Sequence, residues 1–593
     1  MIGKFRPSRP DPSRRIAATT FFGLALALGA CATATDRVAA DSTANAESAG
    51  VALVGLEEAS PFGSYLAGRF ARSERDLGSA ASFLLKALAD DPDNHDLRSQ
   101  AFAALVVSGR IDEAIGLANE IIAADPAAPL PGLTLALAAL RAGDPAVARE
   151  RLSMLSSTGY NAILVPLIEA WLTVADGDHA AALGILGSMS SGGGFQAFRS
   201  FHEALIQELA GDPAAAEAAY RVALGAQPGA FRVVQALGGL LERAGRIEDA
   251  RAVYQDFASI SPDTPWVDDG LARLEASGPP PPLLVANPVE GTAELLFGLA
   301  NALQGEEDSE SALGYARFAE YLRPDSDATA LLLGDVFDIQ GRAAEAIEAY
   351  GRVSPGSPLA WTARLRTAVN LDAVDRTAEA VAGLEAMAAE RPTRPDPWIT
   401  IGDIRRGREA WAESVAAYDL AVTLVPTPEP RHWRLFYARG IALERSDQWP
   451  RAEADFLRAL ELEPDQPYVL NYLGYSWVDK GLNLGRALDM IEGAVDQRPN
   501  DGFIVDSLGW AHYRLGDYRE AVKHLERAVE LQPDDATIND HLGDAFWQVG
   551  RYAEAEFQWR RALSLEPDQD LAAAIRAKLE HGLASAPALN GDG

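Results

Sequence analysis

The sequence predicts an all-α solenoid, a stack of helix–turn–helix units, and three observations predict it. Apolar residues recur at helical spacing without strand-like alternation, prolines recur at a fixed interval, and small residues keep the same phase as the prolines. With 593 residues the chain exceeds what one hydrophobic core normally supports, whereas a repeat array needs no central core. Helices tolerate proline only at their start or just past their end, so the prolines mark unit boundaries. Pro92 and Pro126 lie 34 apart, Pro228 and Pro262 keep that phase, and Pro324, Pro358, Pro392 and Pro426 step by 34 again. Pro464, Pro499, Pro533 and Pro567 then follow at 38, 35, 34 and 34.

Twenty-four residues before these prolines stand Gly68, Gly238, Gly334, Gly402, Gly440, Gly509 and Gly543, and twelve before them Ala80, Ala114, Ala250, Ala346, Ala452, Ala521 and Ala555. Glycine inside a helix costs about 1 kcal/mol relative to alanine, so its recurrence implies two helices too close for a side chain. Between them sit turn signals, Gly109-Arg110, Gly245-Arg246, Gly341-Arg342, Gly516-Asp517 and Gly550-Arg551, suited to a left-handed helix end. Each unit is therefore expected to be two antiparallel helices.

Large residues complete the register: Leu473 and Trp477 in a first helix, and Tyr254, Tyr350, Tyr418 and Phe456 in second helices. This pattern resembles the tetratricopeptide repeat, best over residues 465–567 and least over 127–195, where Gly143 and Gly177 still keep the spacing. The resemblance implies a right-handed superhelix of about fourteen units. The step from Pro262 to Pro324 is 62 and breaks the frame, and the Pro279–Pro282 run cannot be helical. This divides the array into an amino-terminal arm (58–276, partly degenerate), a Pro-rich connector (277–290) and a carboxy-terminal array (291–567). One continuous superhelix with a long internal loop is the alternative. Residues 568–593 read as a capping helix and tail.

Lys4, Arg6, Arg9, Arg14 and Arg15, an apolar Ile16–Leu28 run and Gly29-Ala30 form a secretory leader over residues 1–30. The stretch Leu28-Gly29-Ala30-Cys31 resembles a bacterial lipobox, which implies cleavage before Cys31 and lipidation there, with residues 31–57 as a flexible tether. Ala32 is not an inner-membrane retention aspartate, so the expectation is a lipid anchor in the outer membrane, facing the periplasm. Multiple acyl chains make such an anchor stable. Cys31 is the one cysteine, leaving no disulfide. Net charge is −33, and −37 without residues 1–30, which disfavours nucleic acid because phosphate binding needs clustered Lys and Arg.

No nucleophile elbow, phosphate loop, HExxH or CxxC occurs, and His512, His524 and His541 lack ligand spacing, so no enzyme, metal site or cofactor is expected. Function then lies in surfaces, chiefly the concave face lined by first helices. On the repeat frame, that face holds Tyr437, Tyr468, Asn471, Tyr475, Phe503, Trp510, Tyr513, Asp544 and Trp547, with Arg434, Arg445 and Arg514 as carboxylate-binding donors. Packing of these aromatics between repeats is the competing reading. The Lys and Asn set that clamps acidic tails in cytosolic co-chaperones is matched only by Asn471.

The stretches LNYLGYSWVDKGLNLGRALDMIEGAV, DSLGWAHYRLGDYREAVKHLERAVEL and DHLGDAFWQVGRYAEAEFQWRRAL, with the lipobox, resemble the envelope lipoproteins that serve as adaptors for carboxy-terminal processing proteases. That resemblance implies protein partners: such a protease and its substrates, cell-wall hydrolases among them. A scaffold for pilus or polysaccharide-export assembly is the alternative, and an enzyme is the alternative of another class.

Overall fold

The computed structural model describes residues 60–583, apart from 157, 190–194, 263 and 305–308. The leader, Cys31 and the tether lie outside the described residues. Among the described residues every regular element is helical, and they fall into two compact units divided between Gly383 and Leu384.

The first unit comprises α1 (Pro61–Ser73), α2 (Leu77–Asp90), α3 (His95–Val107), α4 (Ile111–Ala124), α5 (Pro129–Arg141), α6 (Pro145–Ser153), α7 (Asn161–Ala175), α8 (His179–Ser188), α9 (Phe195–Leu209), α10 (Pro213–Ala226), α11 (Phe231–Arg243), α12 (Ile247–Ile260), α13 (Pro265–Glu275), α14 (Pro288–Gln304), α15 (Ser309–Leu322), α16 (Asp327–Ile339), α17 (Ala343–Gly351) and α18 (Ala360–Ala373). The division falls inside α19 (Thr377–Glu390). The second unit continues with α20 (Asp396–Gly407), α21 (Trp411–Thr423), α22 (Trp433–Arg445), α23 (Trp449–Leu462), α24 (Pro467–Lys480), α25 (Leu484–Gln497), α26 (Gly502–Leu515), α27 (Tyr518–Leu531), α28 (Ala536–Gln548), α29 (Tyr552–Ser564) and α30 (Gln569–His581).

Helices pair in sequence order, α1 with α2 through α11 with α12 and α20 with α21 through α28 with α29, and the in-phase glycines explain how. At Gly440 a Cβ would lie 2.7 Å from the Phe456 ring, at Gly509 2.6 Å from Leu525 and at Gly543 2.5 Å from the Trp559 indole. Tyr254, Tyr350 and Tyr418 fill the same space over Gly238, Gly334 and Gly402. The missing side chain of one helix is thus the seat of a large, buried side chain of the next. Gly543→Ala is expected to destabilise the second unit by about 1–3 kcal/mol, because Trp559 is fully buried and has nowhere to retreat. Thermal unfolding tests this, and an unchanged midpoint contradicts it.

The turns within pairs come in two chemistries. Where aspartate follows the left-handed glycine, as at Asp144, Asp178, Asp212 and Asp517, its carboxylate caps the second helix by accepting a backbone N–H three residues on. Where arginine follows, at Arg110, Arg246, Arg342 and Arg551, it pairs with an acid three residues along: Glu113, Asp249, Glu345 and Glu554.

Within the first unit, the frame break has a structural counterpart. Residues 279–287 form no regular element and are held by Arg243, which donates to the Pro281 and Pro282 carbonyls at 2.8 and 3.0 Å, and by Arg323, which donates to the Leu284 carbonyl at 3.0 Å. The chain then doubles back as the α14–α15 hairpin, which lies against first helices, α14 on α7 and α9 and α15 on α3 and α5. Gly291 and Gly298 permit this approach: a Cβ at Gly291 would strike the Trp171 ring, and one at Gly298 would lie 2.5 Å from Phe198. Between them Glu294 is buried against Arg232 of α11, with a 2.8 Å bond to Nε. Arg141 lies over Tyr321 at 4.3 Å, and Arg75 donates to the Gln340 carbonyl. The structure therefore differs from a division of the array at 277–290. That segment lies inside the first unit, because the residues after it fill the groove made by those before it.

Candidate functional site: the concave face of the second unit

In the second unit, first helices contact one another across pairs, α20 on α22, α24 on α26 and α26 on α28. Crowding of first helices marks them as the inner, concave lining. Among the described residues of the second unit no helix hairpin packs on α22, α24 and α26 as α14 and α15 pack in the first, and α30 follows α29 at the carboxy-terminal end.

The twelve residues expected on this face fall into three groups. Tyr468 (39% exposed) and Arg434 are exposed, while Tyr437, Tyr475, Phe503 and Arg445 are half-buried. Trp433, Tyr437 and Tyr472 form a chain of rings 6.0 Å apart in successive steps, and burial pushes the Tyr437 and Tyr475 hydroxyl pKa values up. Arg434 lies over Trp433 at 5.5 Å and Arg445 over Trp411 at 5.8 Å. Arg498 of the turn after α25 lies over Tyr468 at 5.2 Å.

Asn471 stands at the centre of the row and is 6% exposed; its Oδ1 is buried with no hydrogen-bond partner among the described residues. An unpaired buried acceptor carries a penalty of about 1–3 kcal/mol, which a ligand donor or a turned amide removes.

The remaining residues are occupied by the chain itself. Trp510 is stacked on both faces, by Tyr513 at 4.6 Å and by His541 at 4.0 Å, so it presents only an edge. Tyr513 is buried, and Arg514 donates to Asp479 at 2.9 Å. Asp544 accepts from the Trp559 indole at 2.9 Å and from Lys578 of α30 at 2.8 Å, and Gly582 sits directly on Trp547. Asp544 and Trp547 thus hold the last helix in place rather than stand open to a partner. Pattern on first helices alone could not show which of their residues the last helix would cover.

Sequence reasoning also missed the charged cluster around these residues. His541 donates from Nδ1 to Asp506 at 3.0 Å, and Lys578 binds both oxygens of Asp540 at 2.8 Å. Burial pushes the His541 imidazole down, but the Asp506 charge and hydrogen bond, with Asp540 and Asp544, raise it above its ordinary value. Burial and the Asp540 charge push Asp544 up to about 6 despite Lys578. His512 and His524 stack at 5.4 Å, and among the described residues no group of His, Cys, Asp and Glu is arranged to hold a metal.

Comparison with known proteins agrees with the geometry at the level of the repeat. A tetratricopeptide repeat family model matches residues 203–265, 399–467, 437–502 and 507–570, and another matches 71–132. The chain carries tetratricopeptide repeats and is an α-solenoid that serves as a scaffold for protein interactions. TPR repeat-containing protein PA4667 of Pseudomonas aeruginosa is 28% identical over 207 residues, 34% of this chain and 33% of that protein. The match therefore spans about a third of the curated relative. Among solved structures, the APC/C hetero-tetramer Cut9-Hcn1 is 16% identical with a TM-score of 0.37, covering 88% of this chain and 96% of that one. YrrB, a TPR protein with an unusual peptide-binding site, is 19% identical with a TM-score of 0.26, covering 32% and 97%. MamA from Desulfovibrio magneticus RS-1 is 21% identical with a TM-score of 0.25, covering 29% and 96%.

Proposed function

We propose that this chain is a lipid-anchored periplasmic adaptor: Cys31 holds it to the outer membrane, and the concave face of the second unit binds a protein partner there. The reading extends to a carboxy-terminal processing protease brought together with cell-wall hydrolase substrates, through the resemblance of residues 465–567. One observation carries the binding site: on the first helices that bear Tyr437, Tyr468, Tyr475 and Phe503, the buried Asn471 amide oxygen has no hydrogen-bond partner among the described residues. Tyr and Phe offer large contact area with few rotors, and one buried amide fixes register. A tether adds effective concentration, reaching millimolar for a short flexible linker, so a scaffold of this kind needs no chemistry of its own.

Tyr475→Ala and Asn471→Ala are each expected to weaken partner capture by about 1–4 kcal/mol. Photo-cross-linking from position 468 in cells, with a protease or hydrolase identified in the adduct, tests the reading. Adducts lacking both, or capture unchanged in both variants, would overturn it. Membrane release of a Cys31→Ser form tests the anchor separately.

A further inference from the structure

Helix α1 buries its small residues and exposes its large ones. Ser64, Gly68 and Ala71 form the buried side, with Gly68 seated against Leu84 of α2. Phe62 is 69% exposed, Leu66 47% and Phe70 66%. Spaced four apart, these three fall on one stripe of the helix, and Arg69 and Arg72 stand exposed along one side of it. Single exposed apolar side chains are ordinary, whereas three in one stripe ask for a partner. The repeat register shows what the stripe is. Two places after the in-phase glycine, where α1 carries Phe70, later units carry Leu240, Val336, Ile404, Ala442, Ala511 and Ala545, and all six are buried. The stripe is thus the side of a first helix that is covered within the array, and α1 is the first helix of the described residues. The terminal unit of a solenoid normally turns a polar face outward. This one turns out two phenylalanines and a leucine.

We infer that α1 rests on an anionic phospholipid surface, with Phe62, Leu66 and Phe70 among the acyl chains and Arg69 and Arg72 at the headgroup phosphates. The inference rests on the anchor proposed at Cys31 and names a second point at which the chain meets the bilayer. At 13 residues α1 is too short to cross a bilayer, so it lies in the surface. Bulk favours lipid over a covering helix. The six covered residues are aliphatic and none is larger than leucine, as close helix packing asks, whereas protruding rings suit a fluid that closes around them. Charge agrees. Pro61–Ser73 carries two arginines and no acid in a chain of net charge −33, and among the described residues no carboxylate pairs with either arginine. Arg69 lies over the Tyr65 ring of its own helix at 5.9 Å, which leaves its outer side open to a phosphate. Just beyond the helix, Arg75 is taken up by the Gln340 carbonyl and the Asp76 carboxylate by the Ser79 N–H; Glu74, past the helix end, is the nearest exposed acid in sequence that is not so engaged. Position agrees as well. Twenty-eight residues separate Cys31 from Ser60, and the chain enters the solenoid through α1, so an anchor at Cys31 constrains α1 to the bilayer more closely than any later element.

The test uses the mature anchored chain in vesicles of phosphatidylethanolamine and phosphatidylglycerol. A lipidated Cys31 has its sulfur in a thioether, so Leu66→Cys supplies the one free thiol for an environment-sensitive dye. Phe557→Cys, at a residue of α29 that is 67% exposed, serves as the comparison. The dye at 66 is expected to shift to the blue and to be quenched by nitroxide-bearing lipids, while the dye at 557 stays in water. Phe62→Ser with Phe70→Ser should cut the quenching about tenfold, with the melting temperature unchanged because both side chains are exposed. Arg69→Glu with Arg72→Glu should lower it in anionic vesicles and leave it unchanged in vesicles of neutral phosphatidylcholine. An anchored chain whose dye at 66 remains in water overturns the inference and leaves the anchor standing. A dye that shifts to the blue yet escapes the lipid quencher means that protein, a second copy or a partner, covers the stripe, and this also overturns it. A chain that stays out of the vesicles altogether strikes the anchor at Cys31, and the inference with it.

Discussion

Glu294→Ala is expected to cost the first unit about 3–5 kcal/mol. The carboxylate side chain is 5% exposed and the facing Arg232 side chain 14%. Burial pushes the Glu294 carboxyl up, but the Arg232 charge and hydrogen bonds, with help from His202 and Arg323, hold it below the ordinary glutamate range. Removing it strands a buried guanidinium beneath α14. Removing both partners as Arg232→Met with Glu294→Leu should recover most of the loss, since two apolar side chains leave no unpaired charge. Urea unfolding with hydrogen exchange at the α14 amides measures both variants. A loss under about 1 kcal/mol in Glu294→Ala would show that the pair does not hold α14 in the groove.

Acidification is expected to act in opposite directions on the two units. In the first, His202 is wholly buried and accepts from the Trp171 indole at Nδ1 (3.2 Å), packed among Phe198 and Phe201; burial lowers its pKa to about 4, against a smaller pull from Glu294. A histidine held neutral by the fold contributes stability that is lost as pH falls from its ordinary 6.5 toward 4. By pH 5 this group alone should remove roughly 2 kcal/mol. In the second unit His541 and Asp544 are both raised, so their contribution is present at low pH and is lost as pH rises through their folded values. Melting between pH 8 and 5 should show His202→Gln losing the acid sensitivity of the first unit. Asp544→Asn should reduce the acid strengthening of the second. A His202→Gln profile parallel to that of the parent chain would remove the basis for this expectation.

Much of the architecture was legible because proline and glycine are constrained by backbone geometry rather than by neighbours. The in-phase glycines announced close helix approach, and Tyr254, Tyr350, Tyr418 and Phe456 sit where that approach requires. The frame break after Pro262 was legible as a break but not as a return. A periodic pattern shows that α14 has an apolar face; it does not show which groove, built from residues distant in sequence such as Arg232, 62 positions before Glu294, that face enters. Gly291 and Gly298, seven apart on either side of Glu294 in one helix, were the available sign. For the concave face, repeat register put Tyr437, Tyr468, Asn471 and Tyr475 on first helices, because register is local. It could not foresee that Lys578 and Gly582 would cover Asp544 and Trp547, nor the two-sided stacking of Trp510.

The return of α14 and α15 into the first groove also bears on the order in which the chain can fold. Most repeat arrays propagate from neighbour to neighbour, each unit completed by the next. Here Arg75 and Gln340, joined by a hydrogen bond, are 265 residues apart, and the faces of α3, α5, α7 and α9 stay uncovered until residue 322 has been made. Contacts of such range slow folding and leave apolar surface exposed meanwhile. A ribosome-stalled chain ending before α14 should therefore bind holdase chaperones, and one extended past α15 should release them.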